Sequence, residues 1–245
     1  MAGHSHWARI KRKKGVLDAR RGRLWSKLSR HIIVAARAGG GNPAENLSLR
    51  YAIEKAKAAN MPADTIDRAI KKGAGGQEGV AWTEIKYEGY APGGVALLIE
   101  ALTDNPNRTA PEIRSIFEKH GGNLGSTNCV AWQFRKKGVL SVAESDATED
   151  QLMELALEVG AEDVRRQEDV FEIITEPAAY EPLRQALASR NITTQTAELS
   201  MIPDNTVAVD VEAGQRIMKL IEALEDNEDV QNVYSNADIP EGVEA

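Results

Sequence analysis

The chain has 245 residues, is 42% hydrophobic and carries a formal net charge of −7. This length can bury more than one hydrophobic core, so we expect two or three domains. No apolar run approaches the roughly 18 residues that a membrane-spanning helix needs, and the basic N-terminus lacks the apolar stretch of a signal peptide. The single cysteine, Cys129, permits no intrachain disulfide, which suits a reducing compartment. We therefore expect a cytoplasmic protein with no membrane partner.

The basic residues are concentrated at one end of the chain. Residues 1–76 hold 17 Lys and Arg against 5 Asp and Glu, a net charge of +12. Residues 77–245 hold 13 against 32, a net charge of −19. A cationic segment of this density is typical of proteins that bind phosphate polyanions. It could instead dock on the acidic remainder of the same chain, and the two interpretations are compatible.

A basic helix is predicted over residues 16–38 and ends at the glycines of 39–41. On a helical wheel its cations, Arg21 excepted, share one arc of about 100°, and its apolar side chains share another. The cationic arc lacks the interleaved carboxylates that form i,i+4 ion pairs, which favours a polyanion partner over solvent. The candidate nucleic-acid-binding residues are the cations of this helix and of the preceding arm: Arg9, Lys11, Arg12, Lys13, Lys14, Arg20, Arg21, Arg23, Lys27, Arg30 and Arg37.

Further helices follow the basic one. The segment "NPAENLSLRYAIEKAKAAN" predicts a helix capped by Asn42, and "MPADTIDRAIKKG" predicts one that stops at Gly73. Together these helices indicate a small helical domain in which Trp7 and Trp25 are anchors. The glycine-rich segment after it is a predicted hinge. It neither follows a strand nor precedes a helix with a phosphate-binding lysine, so it is not a nucleotide-binding loop.

Strands and helices alternate after residue 80. A hairpin over residues 81–103 precedes a helix at about 109–119 and a strand at 129–135. From residue 138 the order is strand, helix, two strands, helix and strand, the split βαβ pattern of a ferredoxin-like domain. A last helix and strand return the chain to the middle domain.

This order predicts an α+β fold. A basic helical domain (1–77) is followed by a middle α/β domain (78–136 plus 205–245). The ferredoxin-like α/β domain (137–204) is inserted into the middle one.

The most polar loop-helix segment is "TDNPNRTAPEIRSIFEKHGGNLG". Its side chains at Asn105, Asn107, Arg108, Thr109 and Arg114 could orient a ligand, but capping the helix at 109–119 is favoured. No Ser-His-Asp or Cys-His order indicates a catalytic triad, and the acidic runs lack calcium-loop spacing. We therefore predict no catalytic residue, no metal site and no cofactor.

The cysteine and its neighbours are interpreted structurally. "NCVAWQF" has the pattern of a buried strand, and Cys129 is predicted to be a structural thiol within it.

Several segments carry a resemblance in chain order: "AGHSHWARIK", "DARRGRLWSKL", "AARAGGGNP", "AANMPADTIDRAIKKGAGG", "NRTAPEIRSIFEKHGGNLG" and "LEDNEDVQNVYSNADI". They resemble the YebC/PmpR family of probable transcriptional regulatory proteins, which includes the mitochondrial translational activator of cytochrome c oxidase. The resemblance runs nearly end to end. It implies a helical N-terminal domain followed by two α/β domains, and a role in binding nucleic acid.

We predict a non-enzymatic nucleic-acid-binding regulator, with DNA-binding transcriptional regulation as the first hypothesis. The alternative is a translation factor that acts on the ribosome or mRNA, because a cationic stripe contacts phosphates that DNA and RNA share. Neither a base-reading helix nor an aromatic RNA-binding signature stands out. A metal-dependent enzyme that uses the acidic domains is the rival from another class. The acidic domains are also expected to face a protein partner.

Overall fold

A computed structural model describes residues 21–75, 81–167, 169–240 and 243. The helical unit consists of α1 (Arg21–Gly39), α2 (Leu47–Ala58) and α3 (Ala63–Ala74). Its core is formed by one apolar face of each helix, with Leu28, Ile32, Leu49 and Ile66 buried. Trp25 anchors α1 as predicted, because its indole N–H donates to the Ala59 carbonyl oxygen at 3.1 Å. Residues 16–20 of the predicted helix and Trp7 lie outside the described residues.

The predicted stop of α3 at Gly73 is wrong. Gly73 lies inside the helix, and Gly75 is the C-cap. A Cβ at position 73 would clash with the Ile33 carbonyl oxygen and would stand 2.7 Å from the Ala36 Cβ. The glycine is therefore needed because α1 and α3 approach each other closely there, and not because the helix ends.

The predicted cap of α2 at Asn42 is also wrong. The N-cap is Asn46, whose side-chain oxygen accepts from the Leu49 N–H at 3.1 Å. The Asn46 amide also donates to the carbonyl oxygens of Ala35 at 2.7 Å and Gly40 at 2.9 Å. Asn46 therefore joins the end of α1 to the start of α2, whereas Asn42 forms the turn before it.

The rest of the chain alternates strands and helices. In chain order the elements are β1 (Thr83–Ala91), β2 (Val95–Thr103), α4 (Pro106–Lys119), β3 (Asn123–Leu124), β4 (Phe134–Ala143), α5 (Glu149–Val159), β5 (Asp163–Gln167), β6 (Val170–Thr175), α6 (Pro177–Ser189), β7 (Thr194–Pro203), β8 (Val207–Ala208), α7 (Val211–Asp226), β9 (Val230–Ser235) and β10 (Ala237–Asp238). In the part of the chain that the structure describes, no helix has the length and apolar character needed to cross a bilayer.

The middle sheet has the strand order β3-β1-β2-β9. The predicted hairpin is confirmed, because β1 pairs antiparallel with β2. Helices α4 and α7 cover one face, where Ile113, Phe117 and Leu220 pack on Leu97 and Ile99 of β2. Since β9 pairs with β2, the start of β9 and the end of α7 lie next to the end of β2.

The second sheet has the order β5-β6-β4-β7, with α5 and α6 packed on one face. This is the arrangement expected of a βαββαβ unit, so the ferredoxin-like prediction is confirmed. Strand β4 runs across residue 136, where the sequence placed a domain boundary. The division of the chain into domains at 77, 136 and 204 stays a prediction.

The predicted strand over residues 129–135 is wrong. Residues Ala131–Gln133 form a 3₁₀ turn, and β4 begins only at Phe134. The buried carboxylate of Glu88 accepts backbone N–H groups from Asn128, Val130 and Ala131 at 2.7–2.8 Å. These N–H groups point inward at one acceptor instead of joining a strand ladder.

Cys129 lies in a bend just before this 3₁₀ turn and not in a buried strand. The residue is half-buried, and burial raises the pKa of its thiol. Its Sγ lies beside the position that a Cβ on Gly125 would occupy, a packing role that agrees with a structural thiol.

We expect Gly73→Ala to lower the free energy of unfolding by about 1–3 kcal/mol, because the added methyl group overpacks the α1–α3 contact. Gly22→Ala is the matched control in α1. A Cβ there meets no described atom within 4 Å, and alanine gains up to about 1 kcal/mol of helix propensity. Chemical denaturation of both variants measures the difference. Equal stability of the two variants would show that α1 and α3 are not in close contact at Gly73.

Candidate nucleic-acid interface

Arg23, Lys27 and Arg30 share one face of α1 because they are spaced i, i+4 and i+7 along the helix. We call this face the cationic face of α1. Leu28 and Ile32 lie on another face and pack inside the helical unit. The cationic face of α1 meets the C-terminal end of α7 and the loop that leads to β9. We call residues 225–229 (EDNED) the acidic turn.

The first half of this contact involves the last turn of α7. Lys27 Nζ donates to the backbone carbonyl oxygen of Glu225 at 2.6 Å, and Arg23 Nη1 lies 3.6 Å from Asp226 Oδ2. Carbonyl groups in the last turn of a helix lack intrahelical partners and carry the negative end of the helix dipole. Lys27 therefore caps α7 from a position 198 residues away in the sequence.

Arg30 makes the second half of the contact. Its Nη1 donates to the Glu228 carbonyl oxygen at 2.8 Å and lies 3.3 Å from Asp229 Oδ1, and its Nη2 lies 3.2 Å from Glu228 Oε2. The guanidinium also stacks on Trp82, with 4.8 Å between its carbon and the ring centroid. Only 18% of the Arg30 side chain is exposed. The guanidinium is thus held by carboxylates and by an aromatic face at once.

The Asp229 carboxylate is the centre of a buried cluster and is 3% exposed. Its Oδ2 accepts from Thr109 Oγ1 at 2.7 Å, Arg108 Nη2 at 2.8 Å and Thr103 Oγ1 at 3.1 Å. Burial opposes ionisation, but the hydrogen bonds from Arg108, Thr109 and Thr103 outweigh it and hold the pKa of Asp229 below its ordinary value. We call Asp229 and its partners Thr103, Arg108, Thr109 and Arg30 the Asp229 cluster.

The polar segment at 103–114 is structural, as the sequence favoured. Asn105 caps α4 by accepting the Arg108 N–H at 3.2 Å, and Arg108 and Thr109 bind Asp229. Asn107 and Arg114 are exposed. The sequence analysis missed Asp229 because its acidic run was tested only for calcium-loop spacing. Its position directly before a predicted strand was the available signal.

A second contact holds the helical unit on the ferredoxin-like unit. Tyr51 Oη donates to Glu181 Oε2 at 3.0 Å, and Arg184 Nη1 donates to Glu54 Oε2 at 2.8 Å. The rings of Tyr51 and Tyr180 meet edge to face with centroids 5.8 Å apart. The helical unit therefore contacts α7 through α1 and α6 through α2.

The carboxylates in these contacts act as ion-pair partners. Asp226, Glu228 and Asp229 face α1, while Glu54 and Glu181 face Arg184. Within residues 21–75, 81–167 and 169–240, no three His, Cys, Asp or Glu side chains come together in a way that could hold a metal ion.

The remaining candidate cations fall into two groups. Arg21 begins α1, and Arg37 is exposed in its last turn. Six others lie outside the described residues: Arg9, Lys11, Arg12, Lys13, Lys14 and Arg20. For Arg23, Lys27 and Arg30 the structure shows docking on the acidic remainder of the chain, the arrangement that the sequence left open. The role of all eleven residues in binding nucleic acid stays a prediction.

His31 is a further residue of this interface that the sequence analysis missed. It follows Arg30 on α1 and faces Lys55 of α2, Glu100 of β2 and Gln231 of β9. Burial and then the charge of Lys55 lower the pKa of His31 to about 4, although Glu100 and the hydrogen bond with Gln231 oppose the shift. The imidazole is therefore neutral at pH 7, where α1 meets the middle sheet.

We expect His31 to lower the stability of the protein as the pH falls from about 6.5 to about 4. In that range the unfolded chain binds a proton at His31 that the folded chain excludes, so the free energy of unfolding decreases, by roughly 3 kcal/mol at most. His31→Gln should flatten this dependence in denaturant titrations at pH 7, 5.5 and 4.5. The Asp229 carboxylate adds to the loss of stability only at lower pH, because its pKa in the folded protein lies below the ordinary value. An equally steep dependence in the variant would contradict a buried neutral imidazole.

Comparison with known proteins covers nearly the whole chain. Residues 5–76 match the model of the TACO1/YebC protein N-terminal domain, and residues 82–237 match that of the TACO1/YebC second and third domain. A relative from Desulfatibacillum aliphaticivorans, named probable transcriptional regulatory protein, is 53% identical over 98% of both chains. A second relative with the same name, from Trichlorobacter lovleyi, is 52% identical, and the match covers 98% of this chain and 96% of the relative.

A solved structure is similar over the same extent. The crystal structure of a conserved hypothetical protein from Aquifex aeolicus is 50% identical, with a TM-score of 0.86 over 98% of this chain and 99% of that one. The resemblance in the motifs, the α+β fold and these matches agree. The chain belongs to the TACO1/YebC family.

Proposed function

We propose that this chain is a DNA-binding transcriptional regulator that contacts phosphates through the basic residues of its first 37 positions. The observation that supports this proposal most strongly is the segregation of charge, with +12 over residues 1–76 and −19 over residues 77–245. The name of its relatives, probable transcriptional regulatory protein, supports the same function. Phosphate attraction grows with the number of cations that replace counterions on the nucleic acid, so affinity belongs to the basic end.

The proposed contacts are to the nucleic-acid backbone. Lysine and arginine side chains on one helix face or in an arm can bind phosphates without reading base edges. In the structure Arg23, Lys27 and Arg30 contact the acidic turn. We therefore assign the first contacts to the basic arm, defined as residues 8–14 (ARIKRKK), together with Arg20, Arg21 and Arg37.

We propose that the protein acts by binding, in the cytoplasm, without turnover and without a cofactor. The helical domain (1–77) would contact nucleic acid, and the acidic domains (78–136 plus 205–245, and 137–204) would face a protein partner. The charge of −19 supports this division, because a fragment with that net field repels phosphate polyanions.

Replacing Lys11, Arg12 and Lys13 together with glutamine tests the basic arm in the full chain. We expect the slope of log K against log salt to flatten by about 2 to 3 units, because each lost phosphate contact removes roughly 0.9. Fluorescence anisotropy on a 30-base-pair DNA duplex between 50 and 200 mM KCl measures the slope. Lys57, Lys71 and Lys72 are exposed cations of α2 and α3 outside the proposed set. Their replacement with glutamine is the matched control and should leave the slope nearly unchanged.

The same titration decides between the proposed contacts and their alternatives. Equal slopes for the arm variant and the control variant would contradict the assignment to the arm. Tighter binding to RNA than to the DNA duplex at every salt concentration would favour the translation-factor hypothesis.

A further inference from the structure

We propose that the acidic turn is an internal competitor for the cationic face of α1. In the arrangement described above, which we call the closed form, residues 225–229 bind Arg23, Lys27 and Arg30. A nucleic-acid backbone displaces these residues when it binds. This inference rests on the proposed function and adds a regulation of the same site. The protein would expose its full cationic surface only when phosphates replace its own carboxylates.

The acidic turn offers α1 the same chemistry as a phosphate chain. From Arg23 to Arg30 the helix extends about 10 Å at 1.5 Å per residue. Over that length the cations meet a row of oxygen atoms from Asp226, Glu225, Glu228 and Asp229. Guanidinium groups bind carboxylates and phosphates with the same planar fork. A phosphate backbone must therefore compete for donors that the acidic turn already uses.

The contact is built so that it can open. Asp226 is 32% exposed and Glu228 75% exposed, and ion pairs at such positions are weak. The Glu225 carbonyl group lies at a helix end, where water can replace Lys27.

The buried partner, Asp229, does not depend on α1. If Arg30 leaves, Asp229 still accepts hydrogen bonds from Thr103, Arg108 and Thr109. Opening therefore leaves the buried Asp229 carboxylate with three donors, whereas an unpaired buried charge would oppose opening strongly.

Opening on this side also leaves the other contact of the helical unit intact. Tyr51 and Arg184 join α2 to α6 on the ferredoxin-like unit, and neither touches the acidic turn. The helical unit can thus move away from α7 while α2 stays on α6. His31 then separates from Glu100 and Gln231, and because its imidazole is neutral this separation leaves no charge without a partner. The apparent affinity for nucleic acid is then the intrinsic affinity reduced by the open fraction.

The test is to weaken the competitor without touching the cations. In the full chain, Asp226→Asn with Glu228→Gln removes carboxylates that the proposal places away from the bound DNA. We expect binding to a 30-base-pair DNA duplex at 100 mM KCl to tighten about threefold to tenfold. The control is Glu118→Gln with Glu154→Gln, two exposed carboxylates of α4 and α5. It changes the net charge equally and should alter the affinity less than about twofold.

Amide hydrogen exchange of the wild-type protein supplies a second readout. On addition of the DNA duplex we expect faster exchange in peptides that cover residues 224–232 and slower exchange in α1. Two outcomes would contradict the internal competitor and leave the proposed function standing. In the first, DNA binds but both double variants have the same affinity. In the second, amide exchange in the acidic turn becomes slower when DNA binds. If neither DNA nor RNA binds the wild type or any variant at 25 mM KCl, the proposed function itself fails, and the competitor with it.

Discussion

The buried carboxylate of Asp229 is the interaction on which the arrangement of this chain depends. A charge in a protein interior must be surrounded by donors, because an unpaired buried ion is strongly destabilising. Its donors come from β2, α4 and α1, through Thr103, Arg108, Thr109 and Arg30. The Asp229 carbonyl oxygen also accepts the Leu102 N–H at 2.8 Å. One residue between α7 and β9 thereby fixes the edge of the middle sheet and the start of α4, and it contributes a contact that docks α1.

The interior of the helical unit and its boundaries with the neighbouring units are stabilised by different interactions. Its own core is apolar, with Leu28, Ile32 and Leu49 buried among its helices, so electrostatic screening by salt has little effect on its internal packing. Its contacts to α7 and α6 include ion pairs and hydrogen bonds, together with the packing of the Tyr51 ring on Tyr180. Charged contacts at a partly exposed boundary weaken as ionic strength rises. A stable unit on a polar boundary can change position without unfolding.

Much of the fold was predictable because local patterns decide it. Helices α6 and α7 and the strands of the ferredoxin-like unit could be placed from the local sequence pattern, and their order agrees with the observed sheet. The errors arise where a distant residue decides the local structure. The Glu88 carboxylate binds the N–H groups of Asn128, Val130 and Ala131, so this segment does not form a strand. Gly73 is required by the nearby Ile33 carbonyl group of α1 and not by the end of its own helix. The cations of α1 were identified from the sequence as a group, but their partners lie 198 or more residues away along the chain. Residues 77–245 hold 32 Asp and Glu, and a charge count cannot show which of them bind α1.

The two interpretations of the basic segment, nucleic-acid binding and internal docking, have a joint consequence for salt dependence. The salt dependence of binding comes from counterions that leave the nucleic acid when cations arrive. A cation already neutralised by a carboxylate must first lose that partner, and the freed carboxylate then attracts cations from solution. Arg23, Lys27 and Arg30 should thus contribute less to the net slope than an equal number of cations without such partners. A lysine or arginine carries the same formal charge with or without an internal partner, yet docking on the acidic turn reduces what Arg23, Lys27 and Arg30 add to binding. The distribution of carboxylates in the fold, and not the count of lysines and arginines, therefore decides how strongly this protein responds to ionic strength.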